Sequence, residues 1–237
     1  MKRLGIIGGL GPMATAYLME QIIKMTDASC DQEHIEIIIY NIPTIPDRTS
    51  YIIGKSTDSP LLKMQNVAYD LQKNNCEILA MPCITAHYFH DELQSAVDIP
   101  IIHGIKETGI YLKNHSIDSV GIMATDGTVS SNLFGNCLKE FGINVIYPEE
   151  KMQKHVMSLI YDNVKAGTSI DMNKFKKVSE HLFSKGAKVI LLGCTELSII
   201  KRDLAIDSGY LDVIDVIAQS AVKACGNLKN EYEEIIT

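Results

Sequence analysis

Short apolar runs alternate along this chain with longer stretches in which apolar residues recur every three or four positions. Runs of strand length stand at Leu4–Ile7, Glu36–Tyr40, Ile78–Met81, Ser119–Met123, Asn144–Tyr147 and Val189–Leu192, with a shorter candidate at Ile101 and Ile102. Most are apolar throughout rather than at every second position, the pattern of strands covered on both faces. The gaps between them carry helical periodicity: Pro12–Thr26, Leu61–Lys73, Thr85–Val97, Ile105–Lys113, Asn132–Phe141, Met152–Lys165, Met172–Lys185 and Val213–Ala224. Pro12 suits a first helical position, where its missing N–H is no loss. Strand and helix in alternation predict an α/β protein with parallel sheets.

The order also repeats. Gly5-Ile6-Ile7-Gly8 has a counterpart in Gly121-Ile122-Met123-Ala124, each ending a strand and opening into a turn. A cysteine follows each at similar distance: Cys83 lies 78 positions after Gly5, and Cys194 lies 73 after Gly121. The expected architecture is therefore two similar lobes, each a small parallel sheet flanked by helices, related by pseudo-two-fold symmetry. The first lobe spans 1–114, the second 115–208, and the segment 209–237 is expected to join the first.

Composition narrows the function classes. Hydrophobic residues make up 46% and charged residues 22% of 237, an ordinary globular balance. A net charge of -7 argues against a nucleic-acid partner. The apolar run after Met1-Lys2-Arg3 is broken by glycines and a proline too soon for a secretory signal, and no stretch approaches the ~18 apolar residues of a membrane span. A cytoplasmic protein without a membrane partner is expected. Six cysteines without a C-x-x-C pair or regular spacing do not read as a disulfide framework in that setting.

Two of them stand apart. Residues 80–87 read AMPCITAH and residues 191–198 read LLGCTELS, so Cys83 and Cys194 each end a buried strand at the start of a helical segment. Ligands of α/β sheets bind beyond the carboxyl ends of strands. If the lobes face each other, the two thiols address one cleft from opposite sides. A helix N-terminus favours a thiolate and brings its pKa down toward neutrality. Two such groups on opposite faces of a carbon can remove a proton from one face and return one to the other, with no metal or organic cofactor.

MPCITAH resembles the MPCNTAH segment of the aspartate racemases, within the aspartate/glutamate racemase family, and LLGCTELS resembles their GCTE segment. GGLGP near the start, NIPTIPDRTS at 41–50 and IYDNVKAG at 160–167 resemble further segments of the family, in the same order over nearly the whole chain. The resemblance implies Cys83 and Cys194 as the acid/base thiols. It implies Arg48 as a carboxylate clamp, its planar fork suiting bidentate pairing, and Lys165 as a second cation. Ile84, Thr85, Thr195 and Glu196 would line the loops beside the thiols, with Thr128 as a weaker carboxylate contact. By residue type alone, Arg48 reads as a solvated loop arginine, Lys165 as a last-turn cation, Glu196 as a first-turn carboxylate and Thr128 as a helix cap.

The implied protein is an amino-acid racemase without cofactor or metal, acting on aspartate first and glutamate second, and pairing as a homodimer. One position departs from the pattern: Ile84 stands where the aspartate racemases carry Asn, and isoleucine neither donates nor accepts a hydrogen bond. That keeps open a broad-specificity racemase, an enzyme like the related maleate isomerases or decarboxylases, and a non-catalytic protein that binds small acids.

Two other motifs compete. GLGPMA at 9–14 satisfies a dinucleotide fingerprint after a strand, but the second strand ends on Tyr40 and Asn41 without the expected acid. Cys83, His87 and His90 form C-x3-H-x2-H without an evident fourth ligand. His87 reads better as a packed or capping histidine.

Overall fold

The computed structural model describes residues 1–237. Strands β1 (Leu4–Gly8), β2 (Ile37–Asn41) and β3 (Ile78–Ala80) form a parallel sheet in the order β2-β1-β3. Strands β4 (Ser119–Met123), β5 (Asn144–Ile146), β6 (Val189–Leu192) and β7 (Tyr210–Asp212) form a second, in the order β5-β4-β6-β7. A single parallel bridge between Leu79 and Ile101 extends the first sheet at the place β7 occupies in the second. The candidate strand at Ile101 and Ile102 is thus one bridge long. The two sheets follow the same winding, and both are flanked by helices.

The helices are α1 (Pro12–Met25), α2 (Arg48–Ile52), α3 (Leu61–Lys73), α4 (His90–Gln94), α5 (Gly104–Asn114), α6 (Asp126–Ser130), α7 (Leu133–Leu138), α8 (Glu150–Ser158), α9 (Met172–Ser184), α10 (Thr195–Asp203) and α11 (Val213–Cys225). Helices α5 and α11 pack on each other, α11 on α1, and α5 on α7. They close one continuous core of 33 buried residues that takes in Leu4 and Ile6 of β1, Val120 and Ile122 of β4, and Val213, Ile217 and Val222 of α11. Because this core crosses from sheet to sheet, the cleft between the strand ends is held by buried apolar area on its far side.

Segment 209–237 touches both lobes. β7 is the edge strand of the second sheet, and α11 packs against α1 and β3. Leu228 pairs with Thr26, and Ile236 pairs with Leu211.

Several elements differ from the sequence pattern. The helix expected over Thr85–Val97 is a 3-10 segment, Thr85–Phe89, followed by the short α4. The cause is local: the Cys83 carbonyl accepts from the Ala86 N–H and from the His87 ring, and the His87 N–H turns to Ile84. The helix expected over Met152–Lys165 begins at Glu150 and ends in seven π-wound residues, Leu159–Lys165. Asn132, at φ 51°, separates α6 from α7. Helix α10 starts after Cys194 as expected, although no range was assigned to it, and strand β7 was not among the expected elements.

Candidate active site

Five loops at the carboxyl ends of the strands, after β1, β2, β3, β4 and β6, meet between the lobes. After β1 the chain turns through Gly9 at φ 91°, where a Cβ would lie 2.3 Å from the Ile42 backbone nitrogen. Only glycine fits a turn so placed. The Gly9 N–H donates to Thr15 Oγ1 at 2.9 Å. That amide, which a pyrophosphate would need, is already used, so the GLGPMA loop is a packed wall carrying Leu10 rather than a phosphate cradle.

After β2, Asp47 caps α2 by accepting the Ser50 N–H at 2.7 Å. Arg48 thereby starts the helix with its guanidinium turned inward. Its Nη1 donates to the carbonyls of Pro46 (3.0 Å) and Ile45 (3.4 Å), and its Nη2 donates to that of Leu10 (3.0 Å). Nε is buried without a protein partner. Burial works against the charge, but the Cys83 sulfur and Asp47 outweigh it and push the Arg48 pKa up. The expected carboxylate clamp is therefore largely tied to backbone, with Nε uncommitted and the guanidinium held against Cys83.

Cys83 and Cys194 are both nearly buried, at 6% exposure each. Cys194 caps α10, as its place after β6 predicts, with its carbonyl accepting the Leu197 N–H. The thiol nevertheless departs from expectation. Burial first, and then the charge and hydrogen bond of Glu196, push its pKa well above the ordinary thiol value. Cys194 Sγ donates to Glu196 Oε2 at 2.9 Å, and Thr195 Oγ1 donates to the same oxygen at 2.9 Å. A carboxylate at hydrogen-bonding distance and the loss of water overcome the pull of one helix end. Cys83 precedes a 3-10 segment, so no α-helix begins at it.

Lys165 completes the charge pattern. Its Nζ lies 3.8 Å from Glu196 Oε1 and 4.0 Å from the centre of the Tyr161 ring. Burial lowers its pKa, but Glu196, Tyr161 and Cys194 more than compensate, and the ammonium stays charged. The lobes are also joined by hydroxyls: Thr85 Oγ1 lies 3.0 Å from Thr125 Oγ1 and 3.1 Å from Thr128 Oγ1, which are 3.2 Å from each other.

Together these loops form a narrow cavity of about 20 Å³ lined by Leu10, Asp47, Arg48, Thr49, Cys83, Ile84, Thr85, Thr125, Lys165, Cys194, Thr195 and Glu196. Of the expected site residues, Cys83, Cys194, Arg48, Lys165, Ile84, Thr85, Thr195 and Glu196 meet there. Thr128 does not reach the wall; it supports Thr85 and Thr125 from behind. Leu10, Asp47, Thr49 and Thr125 were missed. Asp47 and Thr125 carried a signal, since each precedes a helical turn as a capping residue.

His87 does not face the cavity. Its Nδ1 lies 3.0 Å from the Cys83 carbonyl and its Nε2 accepts the Gly104 N–H at 2.9 Å, so Nδ1 carries the proton. His90 Nε2 is committed to the Ile101 carbonyl at 3.0 Å. No group of three His, Cys, Asp or Glu side chains is placed to hold a metal ion.

Two facing lobes with a cysteine at the equivalent strand end of each define a thiol-bearing α/β isomerase. The Asp/Glu/Hydantoin racemase family model matches residues 7–224, and the chain belongs to that family. It is 25% identical over 230 residues to the broad-specificity amino-acid racemase RacX of Bacillus subtilis, covering 92% of this chain and 96% of that protein. It superposes on the aspartate racemase of Picrophilus torridus with TM-score 0.83 and 30% identity, covering 98% of both chains. The D-glutamate complex of the Francisella tularensis glutamate racemase shares the fold, with TM-score 0.68 and 19% identity over 94% of this chain and 80% of that one. No helix is long and apolar enough to cross a membrane.

Proposed function

We propose that the protein racemises an amino acid at its α-carbon by proton transfer between Cys83 and Cys194, without pyridoxal phosphate or a metal. The observation that carries this reading is that both thiols, 111 positions apart in sequence, line one cavity. Their surroundings differ in sign. Cys83 faces a guanidinium and Cys194 donates to a carboxylate. In the resting site Cys83 supplies the base and Cys194 holds the proton to be delivered.

An α-proton is weakly acidic, so charge developing on the substrate carboxylate must be stabilised as the proton leaves. Lys165 is the cation for this. The uncommitted Nε of Arg48 is a second donor, and Thr85 and Thr125 supply hydroxyls. After proton delivery the two thiols have exchanged roles, and the reverse reaction starts from the other enantiomer.

Aspartate, then glutamate, is the first substrate class to test. Ile84 on the cavity wall, 1% exposed, favours a second form of the same reading. With an apolar side chain at this point, a racemase of broad specificity fits as well, and the likeness to RacX supports it. Pairing of two copies, implied by the resemblance, and a cytoplasmic location, expected from the apolar pattern of the sequence, belong to this proposal. Sedimentation of the purified protein tests the former.

Replacing Cys83 or Cys194 with alanine tests the mechanism. Racemisation, followed by optical rotation, is expected to fall by at least ~10³-fold in either variant, as befits loss of an acid/base group. Near-normal turnover in either would remove the two-thiol mechanism.

A further inference from the structure

The cysteine loops are tied down in matching ways by residues that never reach the cavity. Four positions after Cys83, His87 joins the cysteine's own carbonyl to the Gly104 N–H at the start of α5. Four positions after Cys194, Ser198 Oγ donates at 2.8 Å to Asp212, the capping residue of α11. Seven positions after each cysteine the match recurs: His90 reaches the Ile101 carbonyl beside α5, and Lys201 pairs with Asp215 in the first turn of α11. Helices α5 and α11 pack together between the lobes. Each thiol is therefore referenced to the same central helix pair.

We infer that His87 and Ser198 are matched positioning residues, His87 fixing the Cys83 thiol and Ser198 the Cys194 thiol against the α5–α11 pair. This rests on the two-thiol reading of the site. His87 has the more direct hold. Its ring is 2% exposed, and both nitrogens are satisfied only in the neutral form protonated at Nδ1. Burial, with His103 second, brings its pKa down to about 3, which preserves that form through the neutral range. A Cβ at Gly104 would sit 3.2 Å from Nε2 and 2.7 Å from Ile217, so the ring and α5 approach as closely as glycine allows. Misplacement of a reacting group by about 1 Å can cost ~10²-fold in rate.

Racemisation has an equilibrium constant of unity, so kcat/KM is equal for the two enantiomers in any variant. The readout is therefore the primary deuterium isotope effect in each direction, measured with α-deuterated L- and D-aspartate and L- and D-glutamate. In His87→Leu the transfer to Cys83 becomes limiting. The isotope effect should rise for the enantiomer whose proton Cys83 takes and fall for the other, with kcat down by about ten- to a hundredfold. Ser198→Ala should shift the two effects in the opposite sense. His87→Asn, which can still present an N–H to the Cys83 carbonyl, should return the ratio toward that of the wild type.

A loss of rate with the wild-type ratio in both variants, or a shift in the same direction in both, would overturn the inference while leaving the racemase reading intact. Absence of α-proton exchange in the wild type with all four substrates would remove that reading and the inference with it.

Discussion

At the residue scale the site is asymmetric although the fold that carries it is nearly symmetric. Glu196 is the clearest example, because its carboxylate keeps the Cys194 proton in place. In a Cys83→Ser background, Glu196→Gln should lower the pH midpoint of Cys194 alkylation by at least ~1 unit, as expected on removing a like charge at hydrogen-bonding distance. An unchanged midpoint would mean that burial alone holds the thiol up. Ile84 is the other telling residue. An Asn in its place buries an amide that the substrate must satisfy, and an unsatisfied buried amide costs about 1–3 kcal/mol. Ile84→Asn is therefore expected to lower the thermal midpoint while raising kcat/KM for aspartate relative to other amino acids. A uniform loss across an amino-acid panel would contradict that. The cysteines were legible in the sequence because each stops an apolar run. The backbone ties of Arg48 were not, since one of them depends on the Leu10 carbonyl, 38 positions away.

At the scale of elements, strands buried on both faces left unbroken apolar runs and were read within a residue or two. Among the helices that differ from the pattern, one is wound by a side chain. The 3-10 segment after Cys83 follows from the His87 ring taking up the Cys83 carbonyl, a side-chain bond no periodicity records. Strand β7 left no apolar run of its own, since only Tyr210 and Leu211 precede Asp212, which ends the strand and caps α11. The helix starts also carry opposing titrations. Burial first, and Asp215 second, push the Asp212 carboxyl up to about 7. The native state then holds a proton that the unfolded chain releases, and this contribution to stability falls as pH rises from about 4 to about 7. Burial first, with neighbouring imidazoles, brings His87 down to about 3 and His103 to about 4. There the unfolded chain binds the extra proton, so their contribution rises with pH up to about 6.5. Asp212→Asn, which still caps α11, removes the falling part. Denaturant unfolding between pH 4 and pH 7 should show a steeper rise in stability for this variant than for the wild type. Parallel curves would show that Asp212 is not the titrating group.

At the scale of the whole molecule, the proposed function depends on two lobes presenting equivalent strand ends to one another. The repeat of a glycine-bounded strand followed by a cysteine made this arrangement legible in the sequence. We propose the lobe division at 114/115. The C-terminal segment spans both lobes, since α11 belongs to the central helix pair and the residues around it pair on either side. What the sequence left open is the substrate, because the cavity wall combines the cations suited to an acidic amino acid with an isoleucine suited to many. The most direct test of the central claim is proton NMR of metal-free and pyridoxal-free protein in D2O with single L-amino acids, following the α-proton signal and optical rotation together. Loss of the α-proton of aspartate, glutamate or a wider set of amino acids, with matching loss of rotation, is the predicted result. Retention of the α-proton in every amino acid tried would contradict it.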